Sequence, residues 1–227
     1  MPATGIYAAE TADTTQNTQA AQTTQNSQNT QTTKNTQEYD WPQAPDIVAQ
    51  SAILIDADTG AILYEKDAHA KGYPASTTKI LTGLLTIENC GLDETVTFSS
   101  AAANSVTYED ASLGTKTGEQ YSVEQALYGL LLYSANEIAY GLAEHVSGSL
   151  AAFTELMNKR AKELGAINTH FANASGLHDV NHYTTAYDMA MIAKGCYNNS
   201  TFVNIDSTST TYTTVSYTHL TLPTNSR

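Results

Sequence analysis

Basic residues are scarce in this chain: 10 Lys and Arg stand against 23 Asp and Glu, a net charge of -13 over 227 residues. Nucleic-acid binding rests on clustered cations that displace counterions from phosphates, so no nucleic-acid partner is expected. Long apolar runs are missing, and none of the sequence shown is long enough to span a bilayer. Cysteine is nearly absent. Cys90 and Cys196 have neither the number nor the spacing of a disulfide framework or a zinc finger, so no cofactor and no metal are expected. Large apolar residues are almost lacking between positions 11 and 37, where Thr, Gln, Asn, Ser and Ala dominate. Such a stretch buries too little surface to offset its conformational entropy. Residues 1–45 therefore read as a disordered segment, and its opening, with Ala8 and Ala9, resembles the end of a signal peptide.

What is present begins near Ile47. Two short apolar runs, Ser51 to Asp56 and Ala61 to Glu65, flank Asp58-Thr59-Gly60, the pattern of a β-hairpin. Ile80, Leu81, Leu84 and Leu85 then form one helical stripe, closed by Asn89-Cys90-Gly91. A short strand is expected over Thr95 to Phe98. Ser122 and Gln125 make a capping-box pattern before Val123, Ala126, Leu127, Leu130 and Leu131, a core-facing helix. Further helical stripes follow at Ile138, Leu142 and Val146, and at Phe153, Leu156, Met157 and Leu164. Thr169-His170-Phe171 reads as extended. Thr185 caps a last helix through Met189, Ile192 and Ala193. Strands first and a run of helices afterwards describe an α+β domain over residues 46–214.

Chemistry enters at Pro74-Ala75-Ser76-Thr77-Thr78-Lys79. Ser76 and Lys79 are three residues apart at the start of a helix, hence on one face, where the amine reaches the hydroxyl. Desolvation and an electropositive helix start both favour the neutral amine, which makes Lys79 a candidate base for a Ser76 nucleophile. A Ser/Thr-rich cap followed by a surface lysine would carry the same letters. Ser134-Ala135-Asn136, in the break between two helices, supplies what such a pair lacks: a second hydroxyl to relay the proton and an amide to hold a substrate carbonyl.

With these motifs in order, and with Ala52 to Asp56, Leu130 to Ser134, Met157-Asn158, Asn173, Gly176-Leu177 and His182 to Asp188 around them, the chain resembles the penicillin-binding D-alanyl-D-alanine carboxypeptidases of the bacterial cell wall, from about Ile47 to about Thr214. The resemblance implies a β-lactamase/transpeptidase-like α+β fold, an antiparallel sheet packed against a helical cluster with the site between them. It implies that Ser76 attacks the terminal D-Ala-D-Ala bond, that Lys79 takes its proton, that Ser134 passes a proton to the leaving D-alanine, and that Asn136 binds the substrate amide. The implied partners are the peptidoglycan stem peptide and β-lactam inhibitors. The implied place is outside the cytoplasm, with a C-terminal membrane anchor beyond this sequence.

The family also has a K-T-G strand after both motifs. Lys116-Thr117-Gly118 lies between them and reads as a turn. The sheet is therefore expected to be incomplete, with Val215 to Arg227 a non-native tail and the fragment itself inactive. A class A β-lactamase is the near rival, but Ala135 replaces the Asp of its S-D-N motif and Glu155-Leu156-Met157-Asn158 misses the E-x-x-L-N spacing by one residue. A non-catalytic penicillin-binding envelope protein is the rival from another class, and the presence of both Ser76 and Lys79 argues against it. His178 and His182, four apart, suit zinc only on a helix, and Gly176, Asp179 and Asn181 point to a loop. His69 and His145 read as exposed polar positions.

Overall fold

The computed structural model describes residues 43–209 other than 108. The segment up to residue 42 and the tail 215–227, with the expectations placed on them, lie outside the described residues. The hairpin comes first. Strands β1 (Ala52–Ile55) and β2 (Ile62–Lys66) pair antiparallel, with Ala52 opposite Lys66 and Leu54 opposite Tyr64. Asp56 fixes the turn: its Oδ1 accepts from the Thr59 amide at 2.7 Å and the Thr59 hydroxyl at 2.5 Å. Aspartate favours turns through this kind of local bond.

The chain then enters a 3-10 turn, Ala75–Thr78, which runs directly into helix α1 (Lys79–Asn89). The helix start read from the sequence is thus a tighter turn leading into an α-helix. Leu81, Leu84 and Leu85 of α1 are buried and Ile80 is partly so, as their spacing requires. Each such leucine stabilises the fold by about 1.5–3 kcal/mol. Strand β3 (Thr95–Thr97), helix α2 (Ser100–Ala103) and strand β4 (Gln120–Ser122) follow, and β3 and β4 form a second antiparallel pair.

The capping box is present. Gln125 N donates to Ser122 Oγ at 3.1 Å, and Ser122 N donates to Gln125 Oε1 at 2.9 Å. It opens α3 (Val123–Leu131). Then come α4 (Asn136–Ser147), α5 (Leu150–Glu163), α6 (Ala186–Tyr197) and α7 (Ser200–Asp206). Helix α1 lies among α3, α4, α5, α6 and α7, and α6 also packs on β1. This is the α+β arrangement, antiparallel strands against a helical cluster.

Two details differ from the sequence reading. Helices α2 and α7 are too short to show a stripe and were not anticipated. Ala193 is exposed, because α6 turns Ile192 and Cys196 to the core instead. Both cysteines are free, and the buried Cys196 thiol donates to Ile80 O at 3.5 Å. Lys116-Thr117-Gly118 forms the turn that leads into β4: Gly118, at φ +83°, donates its amide to Phe98 O at 2.8 Å.

Candidate active site

In a 3-10 turn residues i and i+3 eclipse one another, which aligns Ser76 with Lys79 more closely than an α-helix would. Ser76 is exposed, whereas Lys79 behind it is 2% exposed. Lys79 Nζ donates to Ser76 Oγ at 3.2 Å and to the Ser175 carbonyl at 2.6 Å. Burial pulls the Lys79 amine down to about 8, against the opposing pull of the Asp110 and Glu137 carboxylates. A buried ammonium without an adjacent counter-ion gives up its proton at lower pH than a solvated one. No hydrogen bond among the described residues uses the Ser76 N–H. Ala75, immediately before the serine, holds φ +48°, a left-handed conformation that side chains other than glycine adopt at a cost of about 1–2 kcal/mol.

The Ser175 carbonyl was not foreseen, since a main-chain acceptor leaves no mark in residue types. The loop that presents it is organised by Asn173. Its Oδ1 accepts from Gly176 N at 2.7 Å and Ser175 N at 3.1 Å, and its Nδ2 donates to Leu177 O at 2.8 Å. Two bonds fasten this loop to α1: Lys79 to Ser175 O, and Thr82 Oγ1 to Ala174 O at 2.7 Å. Gly176, at φ +89°, lies against the Ala75 carbonyl, where a Cβ would overlap it. Only glycine satisfies both that conformation and that approach.

Ser134 and Asn136 stand at the junction of α3 and α4. Ser134 holds φ +63°, so the chain reverses there, and Ala135 is the buried N-cap of α4. The junction is pinned from both sides: Ala135 N donates to Gly129 O at 3.1 Å and Asn136 N donates to Ala111 O at 2.8 Å. Asn136 is 6% exposed and is the first residue of α4. The next residue, Glu137, is fully buried. Its Oε1 accepts from Leu113 N at 2.6 Å and Thr115 Oγ1 at 3.3 Å, while its Oε2 has no partner among the described residues. Helix α4 packs on α1, which carries Lys79, and the Glu137 carboxylate favours the charged form of that amine. The structure thus joins Ser76 to Lys79 directly. No hydrogen bond among the described residues joins Ser134 to either.

His182 supports the pair from beneath. It is buried, accepts from Ala172 N at Nδ1 (3.1 Å) and shares a 2.8 Å bond between Nε2 and Thr78 Oγ1. Since the amide N–H only donates, Nδ1 carries no proton, and Nε2–H is the donor to Thr78. Desolvation holds this imidazole down to about 4, so it is neutral near pH 7. Both ring nitrogens of His182 are thus bonded within the protein. His145, read as an exposed polar position, is instead half-buried and bonded to Glu94 at 3.1 Å. Glu155 is exposed on α5, and Asn158 spends its amide on Phe171, donating to its carbonyl and accepting from its N–H at 2.8 Å each. Neither is arranged as a deacylating pair.

A family model described as D-alanyl-D-alanine carboxypeptidase matches residues 36–226. The chain is 40% identical over 151 residues to the D-alanyl-D-alanine carboxypeptidase DacF of Bacillus subtilis, covering 64% of this chain and 38% of that one. It spans about two fifths of the length of the first curated relatives it matches. A crystal structure of a D-alanyl-D-alanine carboxypeptidase from Mycobacterium tuberculosis superposes with a TM-score of 0.72 at 30% identity, covering 80% of this chain and 68% of that one. Penicillin binding protein 5 from Haemophilus influenzae gives the same TM-score and identity, covering 80% of this chain and 54% of that one.

Proposed function

Because the chain belongs to the D-alanyl-D-alanine carboxypeptidase family, we propose that it carries the nucleophile half of a serine-type D-Ala-D-Ala carboxypeptidase acting on peptidoglycan stem peptides. The observation that carries this reading is the buried Lys79 amine, 3.2 Å from the exposed Ser76 hydroxyl. With its pKa brought to about 8, roughly a tenth of Lys79 is neutral at pH 7, enough to serve as a base. Lys79 takes the Ser76 proton as Oγ attacks the carbonyl of the terminal D-Ala-D-Ala bond. The Ser76 N–H, unused by the described residues, is one donor to the oxyanion. Ser134 relays the proton to the leaving D-alanine nitrogen, and Asn136 holds the substrate amide. Water then releases the acyl group, leaving a stem peptide one residue shorter.

β-Lactams acylate the same serine in this reading, as the name of the Haemophilus influenzae relative suggests. The substrate places the enzyme outside the cytoplasm, in cell wall biogenesis and the maintenance of cell shape. No helix of the described residues is long and apolar enough to cross a membrane, and attachment would rest on a C-terminal anchor. The test is release of D-alanine from an acylated Lys-D-Ala-D-Ala peptide by the full-length protein. The expected result is stoichiometric D-alanine that disappears in Ser76→Ala. Rapid turnover of penicillin without D-alanine release would assign a β-lactamase instead.

A further inference from the structure

Cys90, Glu94 and His145 lie in three separate segments, the C-cap of α1, the loop before β3 and the last turn of α4. Yet Cys90 Sγ, a Glu94 carboxylate oxygen and a His145 ring nitrogen all fall within 4.8 Å of one another. We propose that they bind a single zinc ion, outside the serine site and independent of its chemistry. Thiolate, imidazole and carboxylate are the donor set zinc takes, and bond lengths of 2.0–2.3 Å set donor atoms about 3.5 Å apart around a tetrahedral ion. His145 Nε2 and Glu94 Oε2 already stand at 3.1 Å. Only Cys90 Sγ has to move in, and its side chain is half-exposed. Water fills the fourth position.

The site is partly preorganised. Gly91 N donates to Glu94 Oε1 at 2.6 Å, which holds the carboxylate and leaves Oε2 for the metal. The Glu94 backbone is tied to the start of α3, because Val123 N donates to Glu94 O at 2.9 Å and Glu124 N to Leu92 O at 3.0 Å. Supports of this kind fix a ligand before the ion arrives. On binding, the Cys90 thiol loses its proton to the buffer. Sequence spacing could not show the whole set: Cys90 and Glu94 are four residues apart, but His145 joins them only through the packing of α4 against α1.

Both helices begin beside the serine site, at Lys79 and Asn136, and both end at the cluster. At 1.5 Å per residue the ion lies roughly 14–16 Å along them. It therefore acts as a clamp on the far ends of the two helices that carry the base and the substrate-binding amide.

The test is a cobalt(II) titration of the purified 227-residue chain, with zinc(II) protection of Cys90 from alkylation as a second measurement. The expected result is one equivalent of cobalt with a thiolate charge-transfer band, displaced by zinc. Cys90→Ser and His145→Gln each weaken binding by about 10-fold or more, whereas Cys196→Ser leaves it unchanged. Zinc also slows alkylation of Cys90 in the unsubstituted chain, a reading that needs no variant to fold. Absence of the band, its survival in Cys90→Ser, or alkylation of Cys90 at the same rate with and without zinc would overturn the proposal.

Discussion

Gly176 packs against the carbonyl of Ala75, the residue before the nucleophile, so closely that no other side chain fits between them. Both residues hold left-handed backbone, at φ +89° and +48°. The loop carrying the Lys79 acceptor and the turn carrying Ser76 thus meet main chain to main chain at this point. Gly176→Ala is expected to cost about 2 kcal/mol or more through conformation and overlap together. Urea unfolding reads that loss, and penicillin acylation of the full-length protein is expected to fall with it. A variant of unchanged stability would mean that the contact is loose.

Lys79 sets the pH dependence. In the proposed reaction the amine acts in its neutral form, and burial holds it at about 8. The acylation rate of Ser76 is expected to rise with pH and reach half its plateau near 8, well below the range of a solvated lysine. Asp110 and Glu137 stabilise the charged form, so Glu137→Gln removes a restraint on deprotonation and shifts the profile to lower pH. A profile that moves upward in Glu137→Gln, or one centred above 10, would contradict this.

His182 sets an acid limit to stability. Its folded value is depressed to about 4 from an ordinary 6.5, by desolvation first. Between those values the unfolded chain binds the proton that the folded one refuses, so stability falls as pH drops from 6.5 to 4 and the loss then levels off. His182→Gln is expected to flatten that part of the curve. Urea midpoints measured across pH 4–7 check this, and a slope that persists in the variant would place its origin elsewhere.

In the proposed reaction Ser134 and Asn136 serve different steps. Ser134→Ala is expected to slow acylation by roughly 10²–10⁴-fold, the range for loss of a positioned proton-transfer group. Asn136→Ala is expected to weaken reaction with the peptide while leaving the Lys79 pH profile in place. Stopped-flow acylation with penicillin and with peptide distinguishes the two. A Ser134→Ala variant that acylates at the original rate would remove Ser134 from the relay.

Much of this was visible in residue order. The capping box at Ser122 and Gln125, the α1 leucines and the hairpin turn at Asp58-Thr59-Gly60 are local patterns, and they form as local patterns require. Ser76 and Lys79 were legible for the same reason, since three residues of helical backbone decide their contact. The Ser175 carbonyl was not, because an acceptor on the main chain is independent of side-chain type and comes 96 residues later in the chain. Nor was the burial of Glu137, which reads as one more acid on a helix start until Leu113 N and Thr115 close over it. His145 failed similarly: its partner Glu94 is 51 residues away. Contacts between distant segments are set by packing, and no local spacing encodes them.

The most direct test of the serine–lysine reading is mass spectrometry of the full-length protein after brief exposure to penicillin. The account predicts a single adduct on the peptide containing Ser76, released slowly, and absent in both Ser76→Ala and Lys79→Ala. An adduct that persists in Ser76→Ala, or one that maps to another residue, would contradict it.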